Sequence, residues 1–266
     1  MKLTTMQDLG GCRAVLASVD AVNRLADQFR QIKSQLEDPG EDNYVANPKP
    51  DGYRSVHFVV RFRSKNTAYL HLPSRRIEVQ IRSKLQHEWA TALETIDLFT
   101  EQTLKGGGGE AMWKRFFILT SDMIALKEGC PRVPGSIDDP IELVSQVRLM
   151  WDKLRIPERL SAWMTTVQLQ IPQEHGTNAM YLIETDADKK TTGVKAFLAE
   201  NVTQAFSEYK RAELRNHDFP SRSAVLVAAR SVDELRAAYP SYYGNTQAFL
   251  DVVKGELLAD RPESGR

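Results

Sequence analysis

Two segments in the first third of the chain alternate apolar and polar residues with period two. In one, Val56, Phe58, Val60 and Phe62 alternate with His57, Val59, Arg61 and Arg63; in the other, Ile77, Val79 and Ile81 alternate with Glu78, Gln80 and Arg82. Successive strand side chains point to opposite faces, so each segment buries one row and presents the other. Ahead of them, Ala14-Val15-Leu16-Ala17 follows a glycine pair and predicts a further strand. The stripe Val22, Leu25, Phe29, Ile32 and Leu36 has helical spacing. It predicts a helix over 20–37, with Asp20 as N-cap and Pro39-Gly40 as its stop.

Past the strand pair, Trp89, Leu93, Ile96 and Phe99 mark a helix from Leu85 to about Leu104, broken by Gly106–Gly109. Those four glycines lack the GxxxxGK[ST] spacing of a phosphate loop and read as a flexible loop. A helix over 110–128 follows, and the proline and glycine content of 131–140 reads as a linker. Beyond it the pattern predicts a helix at 141–155, strands at 161–171 and 178–186, and a long helix over 191–214. A strand at 224–229, a short helix capped by Ser231 and a closing helix at 246–258 complete it. The expected organisation is an N-terminal domain over 1–130 and a smaller α/β domain over 141–262. No repeat is visible. The lone His217-Asp218 pair reads as a solvated loop, since a metal-dependent hydrolase site needs several such residues from separate helices.

Composition changes the picture at one place. The chain of 266 residues carries 35 basic and 35 acidic side chains. Between Asn47 and His87, however, nine Lys or Arg face only Asp51 and Glu78, a surplus of seven positive charges. A local basic concavity in a neutral protein suits a compact polyanion better than bulk nucleic acid or a membrane surface. The loop Asn47-Pro48-Lys49-Pro50-Asp51-Gly52-Tyr53 is stiffened by two prolines and opened by a glycine. It sets Lys49 and Tyr53 at the lip of the polar strand face, the aromatic ready to stack on a base. The expected site is therefore a nucleotide site. No run is long and apolar enough for a membrane span. The N-terminus lacks a signal-peptide core, and Cys12 and Cys130 have no metal-binding or paired spacing. These features together point to the cytoplasm.

On the residues alone, Asp8 reads as a turn acid ahead of Gly10-Gly11, and Glu78 as either a functional carboxylate or an edge acid paired with Arg82. Tyr53 is open to a packed-aromatic reading, and His57 to a structural hydrogen-bonding one. Three blocks then carry a resemblance: Asp8-Leu9-Gly10-Gly11-Cys12-Arg13, the run Tyr44-Val45-Ala46-Asn47-Pro48-Lys49-Pro50-Asp51-Gly52-Tyr53-Arg54-Ser55-Val56-His57, and Ile77-Glu78-Val79-Gln80-Ile81-Arg82. In this order and spacing they resemble the RelA/SpoT synthetase domain, over roughly residues 5–130. The resemblance implies an α+β fold with a nucleotidyltransferase-like mixed β-sheet flanked by helices. It implies Mg²⁺-dependent transfer of pyrophosphate from ATP to the 3′-hydroxyl of GDP or GTP, making the alarmones (p)ppGpp. Asp8 and Glu78 would hold the metal, Glu78 also taking the hydroxyl proton. Tyr53 would stack on the acceptor base. Lys49, His57 and Arg82 would meet phosphates, with Gln80 positioning them, and Arg13 and Arg54 complete the substrate-contacting set.

Family members also resemble one another in a basic segment upstream of the first block that serves ATP. Here seven residues precede Asp8, with Lys2 the one basic side chain among them, so an N-terminally short form is expected. No HD-type hydrolase motif is visible, which implies a small, single-activity synthetase. Two alternatives stay open. One is a toxin-type enzyme acting on the tRNA 3′ end, with an antitoxin partner. The other is a nucleotide-binding regulatory module without turnover. A homo-oligomer is compatible with each.

Overall fold

The two alternating segments are strands and pair with each other. They are β3 (Val56–Phe62) and β4 (Arg75–Ser83), antiparallel with His57 opposite Gln80 and Val59 opposite Glu78. The structure is a computed structural model. It describes residues 11–32, 40–62, 75–100, 111–160, 179–186, 188–189, 191–219, 222–229, 231, 234–235 and 246–259. The chain divides into two compact units. One comprises residues up to Ala90 with Phe116–Val147, the other Thr91–Arg115 and the chain from Arg148 onward.

In the first unit, β1 (Gly11–Leu16) runs parallel to β4 and β2 (Gly40–Asn43) antiparallel to β3, giving the mixed sheet order β1-β4-β3-β2. Helix α1 (Val19–Ile32) covers the apolar face. Its Val22 and Ala26 are fully buried against Val45, Val56, Phe58, Val79 and Ile81, and Phe29 stacks on Phe58 with centroids 5.2 Å apart. Arg30 reaches Glu41 of β2 at 2.6 Å and ties the helix to the sheet's far edge. The expected helix stop at Pro39-Gly40 is followed at once by a strand: β2 was not visible in sequence, because Gly-Glu-Asp-Asn carries no apolar alternation. Its existence rests on pairing with β3.

Strand β4 passes directly into α2 (Lys84–Thr100). The switch is made locally by Ser83 and Gln86: the Gln86 N–H donates to Ser83 Oγ at 3.1 Å, and the Ser83 N–H donates to Gln86 Oε1 at 3.1 Å. This reciprocal capping box satisfies two of the helix's unpaired donors and stops the strand. Helix α3 (Ala111–Glu128) packs Phe117 edge-on against Trp89, whose indole N–H donates to the Phe117 carbonyl at 2.9 Å.

Residues 131–140, expected as a linker, instead lie within the first unit. Val133 is buried and its N–H donates to Asp122 Oδ1 at 2.7 Å, while Arg132 holds the carbonyls of Ile137 and Asp138. Pro140 occupies the first turn of α4 (Pro140–Lys153), where its missing N–H costs nothing, and Asp139 caps it through the Ile141 N–H at 2.9 Å.

The second unit contains a three-stranded antiparallel sheet, order β6-β5-β7, from β5 (Ala179–Asp186), β6 (Thr191–Phe197) and β7 (Arg222–Ala229). Helix α5 (Val202–Asn216) buries Ala205 and Ala212 against Leu182, Phe197 and Ala224 on one face. The other face gathers Tyr181, Ile183, Val194, Val227 and Leu235. Helix α6 (Gln247–Ala259) buries Phe249, Leu250, Val253 and Leu257. The long helix expected over 191–214 is thus a strand, a 3₁₀ turn (Ala199–Asn201) and a helix. The strong helical pattern from Val202 onward masked Thr191-Thr192-Gly193-Val194, whose β-branched residues pair with β5 as a hairpin. The expected strand at 161–171 and the glycine run at 106–109 lie outside the described residues. Among the described residues no helix is long and apolar enough to cross a membrane.

Candidate functional site

The face of the first sheet opposite α1 carries the polar rows. Registers place Asp42, His57, Gln80 and Arg13 side by side across four strands, and Val59, Glu78 and Gly11 in the next row. A Cβ at Gly11 would sit 3.1 Å from the Glu78 carbonyl oxygen, and Gly11, Cys12, Arg13, Glu78 and Gln80 line a concavity of about 260 Å³.

Glu78 is the centre of a hydrogen-bond network. Its Oε1 lies 2.5 Å from His57 Nδ1, and its Oε2 accepts from Gln80 Nε2 at 2.9 Å. On the far side, Gln80 Oε1 accepts from Arg13 Nε at 3.3 Å and from an Arg82 Nη at 3.2 Å. His57 Nε2 in turn meets the Tyr53 hydroxyl at 2.8 Å. Burial pushes the His57 imidazole below its ordinary pKa. Glu78 pulls it up, and the charges of Lys49 and Arg82 add to the lowering.

Tyr53 owes its place to a loop built from its own residues. The Tyr53 N–H donates to Asp51 Oδ1 at 2.9 Å, the Gly52 N–H to the Lys49 carbonyl at 2.9 Å, and the Lys49 N–H to the Tyr53 carbonyl at 3.2 Å. Gly52 has φ +92°, a conformation that glycine takes without strain. Lys49 folds back so that its ammonium lies 4.4 Å from the Tyr44 ring centroid and 5.1 Å from that of Tyr53. Tyr44, Tyr53 and His57 meet edge to face, with centroids 5.4–6.1 Å apart. Tyr44 was not among the expected site residues. The signal available in sequence was its place at the head of the second block; what was missing was the register that brings β2's end beside His57. Burial and neighbouring Asp42 push its phenol pKa up.

The structure therefore brings together Lys49, Tyr53, His57, Glu78, Gln80 and Arg13. Arg82 is only 2 % exposed and reaches the cluster through Gln80. Arg54 is elsewhere. It is 2 % exposed and points into the helical layer, where Nε donates to Ser121 Oγ at 3.0 Å and one Nη to the Pro131 carbonyl at 2.6 Å, the other lying 3.3 Å from Asp122 Oδ1. Tyr53 and Arg54 are neighbours, and an extended chain sends them to opposite sides. Asp8 lies outside the described residues. The His217–Asp218 pair is a contact between two highly exposed side chains in a loop, as expected.

An α+β domain whose open sheet face presents one doubly anchored carboxylate beside cationic and aromatic side chains is the class that fold and site define. Residues 1–97 match the family described as "Region found in RelA / SpoT proteins". A GTP pyrophosphokinase of Photobacterium angustum is 35 % identical over 82 residues, 31 % of this chain and 8 % of that protein. A GTP pyrophosphokinase of Escherichia coli is 47 % identical over 47 residues, 18 % of this chain and 5 % of that protein. The match thus spans under a tenth of the length of either relative. Among solved structures, small alarmone synthetase 1 from Bacillus subtilis bound to its product pppGpp aligns over 59 % of this chain and 68 % of that one. It does so at 21 % identity with a TM-score of 0.33.

Proposed function

We propose that the first unit transfers pyrophosphate from ATP to the 3′-hydroxyl of a guanosine nucleotide, GDP or GTP, producing (p)ppGpp. The observation that carries this reading is Glu78, anchored at both carboxylate oxygens on the open face, with Arg13 lining the same concavity and Tyr53 one hydrogen-bond step away through His57. The pyrophosphokinase relatives and the RelA/SpoT match support it.

In this reading Tyr53 stacks on the acceptor base, a contact worth about 1–3 kcal/mol. Glu78 accepts the proton of the 3′-hydroxyl as its oxygen attacks the β-phosphorus of ATP. The bond between the α–β bridging oxygen and the β-phosphorus breaks, and AMP leaves with that oxygen. Glu78 suits this role because its anchors are a neutral amide and an imidazole rather than a guanidinium lying directly on it. Arg13 and Lys49 offset phosphate charge, which is most of what phosphoryl-type transfer asks of a protein.

The chemistry implies Mg²⁺. Among the described residues no group of three or more His, Cys, Asp or Glu could hold a metal ion. One carboxylate on an open face fits an ion held by one or two carboxylates plus substrate phosphates, with Glu78 as the described ligand and Asp8, three residues before Gly11, as the second. A bound Mg²⁺ would neutralise donor phosphate charge. The test is incubation with Mg²⁺ and γ-labelled ATP, offering GDP, GTP and bulk tRNA in parallel. Label on a guanosine nucleotide, abolished by Glu78→Gln and by chelation, supports the reading. Label on tRNA replaces the acceptor, and an active Glu78→Gln protein removes Glu78 from the chemistry. Nucleotide binding without transfer to any acceptor would leave a regulatory module.

A further inference from the structure

With Glu78 ionised and His57 neutral, the hydrogen bonds around Glu78 run in one direction. An ionised carboxylate only accepts, so the hydrogen between Glu78 Oε1 and His57 must sit on Nδ1. A neutral imidazole protonated at Nδ1 has a bare Nε2. The Tyr53 hydroxyl, 2.8 Å away, is then the donor to His57. Gln80 is oriented in the same way. Its carbonyl oxygen faces two guanidinium groups that can only donate, from Arg13 and Arg82, so its other end is the amide nitrogen, which donates to Glu78 Oε2. Two chains of bonds thus converge on one carboxylate: Tyr53 to His57 to Oε1, and Arg13 with Arg82 to Gln80 to Oε2.

We infer that His57 and Gln80 are positioning residues that aim Glu78, rather than phosphate contacts, and that His57 links the acceptor-stacking ring of Tyr53 to the carboxylate that takes the proton. The inference rests on the proposed role of Glu78. A carboxylate on a strand has two free torsions beyond its Cβ, and donors at both oxygens fix the plane of the group. Misplacement by about 1 Å can cost on the order of 100-fold in rate. Because Tyr53 donates to the same imidazole, the ring against which the base would stack and the aim of Glu78 are set by one side chain. Gln80 further keeps the arginines one amide away from Glu78, so that orientation is transmitted without a guanidinium lying directly on the carboxylate.

The experiment compares His57→Phe, His57→Asn and Tyr53→Phe in the full chain, with steady-state kinetics on the acceptor that takes label. Asn places an amide nitrogen near the position of Nδ1 and keeps the donor to Glu78; Phe keeps only the ring's shape. The expected result is a kcat loss of about 100-fold in His57→Phe with acceptor and ATP KM within threefold, at least tenfold recovery in His57→Asn, and a smaller kcat loss in Tyr53→Phe with KM unchanged. A tenfold rise in KM for acceptor or ATP with kcat preserved, growing from GMP to GTP, would identify His57 as a phosphate contact and overturn the inference. A readout independent of turnover is imidazole ¹⁵N NMR of the chain labelled at its five histidines. The His57 signals are assigned by their loss in His57→Phe. The Nδ1–H tautomer is expected, and an Nε2–H tautomer overturns the inference even if no acceptor is ever turned over. Should His57→Phe not fold, His57→Asn and the tautomer carry the decision.

Discussion

Arg54 offers the sharpest test of how this domain is held together, because its position in the second sequence block suggested a substrate contact and its surroundings say otherwise. Its guanidinium is 2 % exposed and Asp122 is fully buried. Asp122 Oδ1 takes one Arg54 Nη at 3.3 Å and the Val133 N–H at 2.7 Å, and its Oδ2 has no hydrogen-bond partner among the described residues. Arg54→Ala would leave a buried carboxylate with one backbone donor, strand the Pro131 carbonyl, leave the Ser121 hydroxyl with its bond to the Gly52 carbonyl, and empty the volume of the stem. Removing one partner of such a pair costs about 3–5 kcal/mol. Against a typical total of about 5–15 kcal/mol, that is a large fraction. With a denaturant slope of about 1.5 kcal/mol per molar, the urea midpoint should fall by roughly 2–3 M. Burial, the largest influence, pushes the Arg54 pKa down despite the pull of Asp122 upward, so desolvation outweighs the pairing. Replacing both residues together, Arg54→Met with Asp122→Leu, should therefore recover most of the loss. The assay is urea unfolding followed by tryptophan fluorescence, with Trp89 reporting from the same unit through its bond to the Phe117 carbonyl. An Arg54→Ala protein with an unchanged midpoint but weakened nucleotide binding would refute the structural role and return Arg54 to the substrate.

Three further outcomes are expected. Gly52→Ala forces a side chain onto φ +92°, with its Cβ 2.9 Å from Ser121 Cβ and 3.2 Å from Trp89 Cζ2. About 1–3 kcal/mol of backbone strain adds to about 1–3 kcal/mol of overpacking, read as a lower thermal midpoint; an unshifted midpoint would show that the loop has room. Tyr53→Ala should weaken acceptor binding by about 5- to 150-fold, the equivalent of about 1–3 kcal/mol of stacking, measured by calorimetric titration with GDP, and equal affinity would place the base elsewhere. Burial pushes the Glu128 carboxyl up, against hydrogen bonds from Ser83 and Gln86 and the charge of Arg54. The unfolded chain then releases this proton first, so the group's contribution to stability is complete below about pH 4.3 and is lost as pH rises through the folded value. Relative to wild type, Glu128→Gln should gain stability with rising pH, and a flat or opposite trend in paired urea midpoints would contradict the burial argument.

Period-two alternation alone determined which side chains of β3 and β4 share a face, so His57, Glu78 and Gln80 could be grouped before any coordinates. The physical reason is local, since strand geometry alone sends neighbours to opposite sides. The turn chemistry of Asp51 and Gly52 likewise places Tyr53 from residues within the loop. What only the tertiary structure decided depends on partners far along the chain. The division between Tyr53 and Arg54, one toward the site and one into the core, was settled by Ser121 and Asp122 arriving on α3, 67 and 68 residues away. Strand β2 carries no apolar pattern of its own and exists by pairing with β3. The segment 131–140 reads as a linker by composition yet packs in the first unit, because the side chain of Asp122 captures the Val133 backbone. Strand β6 was hidden by the helical pattern that comes after it, and pairing with β5 overrode that local preference. Local periodicity determines faces and turns; which face meets substrate is decided by what packs against the other.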